Sequence, residues 1–288
     1  MIMKRMKIEH NGQLLEYLIE NVPEASRTTL KSYLSHRQIL VNGKLATVFD
    51  YHLNKGDELQ ILDKGVEKQN PNSRMRIIFE DKYIIVIDKR NGLLTMSTGK
   101  EGEQTAYSQL MEHVRRHTGD KAARIFIVHR LDRETSGLLI FAKSEEVQHI
   151  LQEKWEENVI TRQYVAVVEG KMEKSEGQIV SWLTENSKSF KMHSSPTDNG
   201  GKKAITNYKV IKSNGNYTLL YLWLETGRKN QIRVQMASIG HPVAGDKRYG
   251  AHSNPINRLC LHANLIAFVH PMTGERMKFD TGIPQIFQ

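Results

Sequence analysis

Beyond residue 75 the chain alternates short apolar, β-branched runs with turn residues, and only two helical stripes interrupt them; this confines the region to a sheet-dominated fold. The runs fall at 76–79, 83–88, 124–129, 137–142, 161–169, 206–211 and 217–225. One helical stripe, 145–157, places Val147, Ile150, Leu151 and Trp155 on one face. The other, 230–239, carries Ile232, Met236 and Ile239 and stops at Gly240. Many strands with few helices between them predict an α+β domain around a mixed, largely antiparallel sheet. Residues 186–203 are polar, end in Gly200-Gly201, and are expected to form a long mobile hairpin loop.

A different pattern precedes this region. Leu14, Leu15, Leu18 and Ile19 form one helical stripe, and Leu30, Tyr33 and Leu34 form a second behind Ser26, a predicted N-cap. A strand at 38–41 runs into the hairpin signal Asn42-Gly43, and a turn at Lys55-Gly56-Asp57 leads into another strand at 58–62. The order is two helices followed by a small antiparallel sheet. Between the two patterns, KGVEKQNPNSRMR (64–76) is polar, contains Pro71 and has no sustained period, so it reads as a linker. A chain of 288 residues exceeds the usual size of one domain. The expected division is a small helical/β domain at 1–63, a linker at 64–75, and a larger sheet domain at 76–288.

The net charge is +9, and residues 1–66 hold 9 Lys and Arg against 8 Asp and Glu, so nearly all of the excess lies in the larger region. Such an excess suits a polyanionic partner, and it also suits plain solubility. A single cysteine, Cys260, excludes an intramolecular disulfide and a cysteine-rich zinc site and fits a reducing cytosol. The first seven residues are basic, but no apolar signal core follows and no apolar run approaches membrane-spanning length. A soluble, cytoplasmic protein without a membrane partner is expected.

Chemistry-bearing residues concentrate in IVHRLDRETSGLLIFAK (127–143), where two apolar strands enclose a polar island at 129–136. A carboxylate held there, Asp132, is rigid and partly desolvated, which suits a nucleophile or general base. Taken alone it also fits a turn former that bonds backbone amides. A second segment, 226–250, gathers Arg228, Lys229 and Arg233 around the start of a helix. These cations fit phosphate contacts or a buried carboxylate partner, or else a solvated basic face. His113 and His117 have the i, i+4 spacing of metal ligands, yet lack both the glutamate of a zinc-protease helix and a third ligand. They are expected to be exposed helix residues, and no metal site is expected.

HRLDRETSGLLIFAK (129–143) resembles the signature of the RluA-type pseudouridine synthases. FEDKYIIVIDKRNGLL (79–94), RQYVAVVEG (162–170), GKKAITNYKV (201–210), TGRKNQIRV (226–234) and GHPVAGDKRYG (240–250) resemble that family's other blocks, in the family's order, so the likeness runs from about residue 75 to 279. Residues 26–61 follow the plan of the RNA-binding domain named after ribosomal small-subunit protein four: a helix, a valine-asparagine-glycine turn and a late glycine-aspartate.

The resemblance implies an RNA pseudouridine synthase that needs no cofactor, because the product is an isomer of its substrate. It places the family's essential aspartate on Asp132, which either attacks the ribose carbon or removes a ribose proton. The active-site tyrosine falls on Tyr164, against the flipped uracil. The basic partner of the aspartate falls on Arg233, which would keep Asp132 ionised in a water-poor pocket. Because a stacked uracil is out of reach, base flipping is expected, with Arg130 filling the vacated space or, alternatively, pairing within its own loop. Arg228 and Lys229 are expected to bind RNA, as are Arg27 and Lys31, one helical turn apart in the N-terminal domain. Ribosomal RNA is the first expected target, transfer RNA the second, and a monomer is expected. The rival reading is a non-catalytic RNA-binding or ribosome-assembly protein. It shares the charge and the N-terminal pattern but has no reason to keep Asp132, Tyr164 and Arg233 together. The chain departs from the family pattern at Lys229-Asn230, at Gln235 and at Lys89-Arg90-Asn91-Gly92, which bears on RNA contacts and target choice more than on the reaction.

Overall fold

The computed structural model describes residues 2–63, 74–100, 102–153, 155 and 159–288. It forms two compact units, 1–73 and 74–288. Most of the stretch read as a linker, 64–73, lies outside the described residues, and Met75 already belongs to a strand of the second unit.

The first unit contains β1 (Ile2–Lys7), β2 (Gly12–Gln13), α1 (Leu14–Asn21), α2 (Arg27–Ser35), β3 (Ile39–Val41), β4 (Lys44–Leu45), β5 (His52–Leu53) and β6 (Glu58–Leu62). Four of the strands make an antiparallel sheet in the order β1-β6-β3-β4. The Ser26 hydroxyl accepts the Thr29 amide at 3.1 Å and caps α2, whose Leu30 and Leu34 are fully buried. Asn42 and Gly43 have φ of 50° and 73°, the pairing that a type I′ hairpin between β3 and β4 requires. Ile19 departs from its expected stripe, being 39% exposed at the flank of α1. Strand β1 was not anticipated, because its basic residues hide a short edge strand that pairs with β6.

The second unit contains β7 (Met75–Glu80), β8 (Ile84–Lys89), α3 (Ala106–Thr118), β9 (Phe126–Ile127), β10 (Ser136–Ala142), α4 (Glu145–Glu153) and β11 (Val159–Glu169). It continues through β12 (Glu176–Glu185), β13 (Met192–Ser195), β14 (Lys202–Ser213), β15 (Tyr217–Leu224), α5 (Gln231–Ser238), β16 (Leu261–Val269) and β17 (Arg276–Asp280). One 11-stranded sheet runs β13-β12-β14-β15-β11-β16-β10-β8-β7, with β17 on β16 and β9 on β10. The unit is thus α+β around a mostly antiparallel sheet. Every residue of β10 is buried, because both faces of the sheet are covered there. Leu138, Ile140 and Ala142 pack with Val147 and Leu151 of α4, while Leu139 and Phe141 pack with Leu110 and Val114 of α3. Full burial of each of these leucine, isoleucine, valine and phenylalanine side chains contributes about 1.5–3 kcal/mol.

Among the described strands one pairing is parallel, β10 with β16, and it lasts only from Ser136↔His262 to Gly137↔Ala263. The close approach there requires a glycine: Gly137 has φ +120°, and a Cβ would lie 2.2 Å from the Ala263 carbonyl oxygen. Three expectations need correction. The run at 124–129 shortens to β9. Residues 186–203 are not one long loop, since β13 lies inside them and pairs with β12. Ile239 is 40% exposed beyond the end of α5, whose surroundings bury Gln231, Arg233 and Gln235 along with its apolar residues. No helix among the described residues is long and apolar enough to cross a membrane.

Candidate active site

The loop that enters β10 is held from several sides. The Leu131 amide donates to the Thr95 hydroxyl at 3.2 Å and that hydroxyl donates back to the Leu131 carbonyl at 2.9 Å, both groups buried. Lys89, fully buried, donates its three ammonium protons to the carbonyls of Leu93, Arg90 and Arg133 at 2.8, 3.2 and 3.2 Å. Burial lowers its pKa to about 8, against the opposing pull of Glu134 and Asp132. The Ile140 amide donates to His129 Nε2 at 3.1 Å, and burial holds that imidazole at about 3, so it stays neutral. The turn itself closes from the Thr135 amide to the Asp132 carbonyl at 3.2 Å.

The Asp132 carboxylate accepts no backbone amide among the described residues; its partner is Arg233, whose Nη1 donates to Oδ2 at 3.1 Å. Arg233 also donates through Nε and Nη2 to the two oxygens of Asp246 at 2.6 and 2.9 Å, and through Nη1 to Asn230 Oδ1 at 3.2 Å. Its guanidinium lies 5.1 Å from the Tyr249 ring centroid. The Asp246 side chain is 1% exposed, Arg233 10% and Asp132 27%, so the charge emerges stepwise from core to opening. Burial alone would make Arg233 less basic, but the two carboxylates, Asp246 foremost, raise its pKa above the ordinary arginine value. α5 starts at Asn230 in the left-handed conformation, φ 53°, which brings Arg233 inward one turn later.

Asp132 opens into a cavity of about 320 Å³ whose wall includes Arg130, Tyr164, Arg228, Lys229 and Arg233. That volume falls at the lower end of the range for small-molecule pockets. Tyr164, on β11, packs on the hydrophobic clusters to either side of it, and burial pushes its hydroxyl up to about 12. The fold thus brings together Asp132, Tyr164, Arg233, Arg130, Arg228 and Lys229. Arg130 is exposed and makes no ion pair among the described residues; it is Arg133 that lies 3.7 Å from Glu134. Arg228 Nε donates to the Lys203 carbonyl at 3.1 Å, and Lys229 pairs with Glu185. Arg27 and Lys31 are exposed on α2 of the other unit, with the Lys31 ammonium 5.5 Å from the Phe49 ring centroid.

Sequence reasoning missed Asp246, Tyr249 and Thr95. Asp246 carries a legible signal: an acid in Gly245-Asp246-Lys247-Arg248 that caps a tight turn, accepting the Tyr249 amide at 3.3 Å. Gln235, where the family pattern has histidine, is fully buried and bonds Ser181 and Thr206 at 2.9 and 2.6 Å. His113 is not the exposed helix residue expected, for it bonds Glu80 at 2.7 Å and is 11% exposed, whereas His117 is exposed.

A family model described as RNA pseudouridylate synthase matches residues 83–238. Among similar proteins, the uncharacterized RNA pseudouridine synthase YhcT of Bacillus subtilis is 33% identical over 282 residues, 96% of this chain and 91% of the relative. The ribosomal large subunit pseudouridine synthase D of Haemophilus influenzae is 32% identical over 297 residues, covering 97% of this chain and 90% of the relative. Among solved structures, human RNA pseudouridylate synthase domain containing 4 aligns with a TM-score of 0.60 at 24% identity, over 73% of this chain and 89% of that one.

Proposed function

Since the chain belongs to the RNA pseudouridylate synthase family, we propose that it isomerises uridines of ribosomal RNA in the cytoplasm, as a monomer, with Asp132 as the catalytic carboxylate. The N1–C1′ bond of the nucleotide breaks, the base turns, and C5 bonds to C1′. The C5 proton is lost and N1 gains one, so the reaction balances without a cofactor. One observation carries the assignment: Asp132 is the partly exposed end of the Asp246–Arg233–Asp132 chain and faces the cavity. Arg233 orients the carboxylate through its hydrogen bond, as a preorganised charge acts best in a site poor in water.

Tyr164 remains a neutral phenol at ordinary pH and offers an aromatic wall for the uracil. Arg130, exposed at the mouth and without an ion-pair partner among the described residues, fills the stack that a flipped uridine leaves. Arg228 and Lys229 contact phosphates at the rim. The N-terminal unit is a further RNA-binding domain, of the type named after ribosomal small-subunit protein four, with Arg27 and Lys31 exposed on one face of α2. Ribosomal RNA is favoured over transfer RNA by the relative named for the large ribosomal subunit.

The test is carbodiimide-based mapping of pseudouridine across total RNA from cells lacking the gene, complemented with wild type or with Asp132→Asn. Ribosomal RNA sites should vanish in the deletion strain and return with wild type alone. Equal restoration by Asp132→Asn would remove the catalytic assignment, and sites confined to transfer RNA would redirect the target.

A further inference from the structure

A second cavity, of about 420 Å³, adjoins the first and shares Arg130, Asp132, Lys229 and Arg233 with it; its far wall includes Phe190 and Arg248. We propose that this cavity binds a second nucleobase, an unpaired one neighbouring the target uridine, and that Phe190 stacks on it. The inference rests on the proposed RNA reaction and extends it to how the flanking strand is held.

Phe190 is an aromatic residue left 61% exposed, on a backbone with φ +52° that bulky side chains rarely adopt. Its surroundings hold it there. Arg248 Nη2 donates to the carbonyls of Ser189 and Phe190 at 3.1 and 2.7 Å. Asn186 Oδ1 accepts the amides of Lys188 and Ser189 at 3.0 and 2.9 Å, and the Phe190 amide donates to the Asn186 carbonyl at 2.8 Å. A ring serving only to fill the core would not be raised into solvent on a loop so thoroughly fixed.

The cavity's chemistry selects the occupant. Cationic Arg130, Arg133, Lys229, Arg233 and Arg248 surround it, with Asp132 the one carboxylate among the described residues that line it, and the Lys229 ammonium lies 5.9 Å from the Phe190 ring centroid. An apolar π-face ringed by cations matches a base attached to phosphates, which stacks on the ring while its backbone meets the charges. Asp132 belongs to both cavities, so one short RNA segment can place its target in the first and a neighbour in the second.

The decisive variant is Phe190→Asn, since asparagine tolerates the left-handed backbone and removes only the ring. Purified protein is assayed by tritium release from large-subunit ribosomal RNA transcribed with 5-tritiated uridine. The half-saturating RNA concentration should rise about five-fold or more, the size of one lost base–aromatic stack, with little change in kcat. Phe190→Trp should restore it, and the Tm of Phe190→Asn should equal or exceed that of the wild type. Unchanged saturation in Phe190→Asn, or a loss that Trp does not repair, overturns the inference and leaves the reaction standing. No release by the wild type overturns the ribosomal RNA reading and this inference with it.

Discussion

Replacing Arg233 with methionine should destabilise the second unit far more than its one contact with Asp132 suggests, because the group left stranded is Asp246. That carboxylate is 1% exposed and receives two of the arginine's hydrogen bonds, at 2.6 and 2.9 Å. At about 3 Å and an effective dielectric near 20, such a pair interacts by roughly 5 kcal/mol before desolvation is subtracted. Removing one partner of a buried pair costs about 3–5 kcal/mol, largely from the charge that remains. Asp246→Asn takes that charge away, so Arg233→Met made in its background should cost about 2 kcal/mol less than in wild type. Asp132→Asn should cost no more than about 1 kcal/mol, since its side chain is 27% exposed and screened by solvent. Urea unfolding followed by tryptophan fluorescence reads this out cleanly, because Trp155, Trp182 and Trp223 all lie in the second unit. A coupling below about 0.5 kcal/mol, or an Asp132→Asn penalty equal to that of Asp246→Asn, would refute the division into anchor and presented carboxylate.

Gly137→Ala should abolish folding of the second unit, since the new Cβ would meet the Ala263 carbonyl oxygen at 2.2 Å on a backbone at φ +120°; soluble, folded protein detected by circular dichroism would contradict this. Two buried imidazoles should make stability fall with acid below their ordinary value, while Asp88, raised by burial, works in the opposite direction. Burial holds His129 at about 3 and His262 at about 4, below their ordinary 6.5, so their contribution is complete above 6.5 and is lost as pH falls through the folded values. Burial pushes Glu80 up, but the hydrogen bonds from His113 and Lys143 outweigh it and hold the carboxylate at about 2, so it acts only below 4.5. Between pH 6.5 and 4.5, His129→Gln should therefore flatten the fall of Tm, and an unchanged slope would count against the buried neutral imidazole. Arg228→Ala and Lys229→Ala should each reduce the slope of log affinity against log salt by up to about 0.7–0.9 if the side chain meets one phosphate. Filter binding at several salt concentrations measures it, and two unchanged slopes would place both residues off the RNA path.

The strands were legible where the chain alternates or runs apolar between turn residues, as at β8, β10, β11, β14 and β15. What escaped were elements whose stability comes from partners far along the chain. β13 is four residues of Met192–Ser195, held by pairing with β12 and by the Tyr249 hydroxyl, which accepts the Met192 amide at 3.1 Å. Its sequence alone is a polar loop. β1 is likewise a basic segment until β6 pairs with it. The second half of the run at 124–129 fails as a strand for a related reason: His129 turns inward to accept the Ile140 amide, and the chain leaves the sheet to build the loop that carries Asp132.

The site divides along the same physical line. Asp132, Tyr164 and Arg233 stand out because their residue types and motif blocks match the proposed chemistry, while Asp246 bonds Arg233 and is silent in any reading that seeks groups able to touch a substrate. Its role follows from what the guanidinium requires. An arginine that faced Asp132 alone would be a buried cation with most of its donors unsatisfied, or would close on the carboxylate with two bonds and mask it. Sharing the fork, two bonds to the buried acid and one to the reachable one, satisfies the cation while leaving one oxygen of Asp132, which lines the cavity, without a hydrogen bond among the described residues. The parallel contact between β10 and β16 serves the same end, since Gly137 lets the loop's exit strand press against β16 at the point where the loop must be rigid. In the proposed reaction, the one partly exposed carboxylate thus depends on a fully buried acid and on a glycine, neither of which lines the cavity.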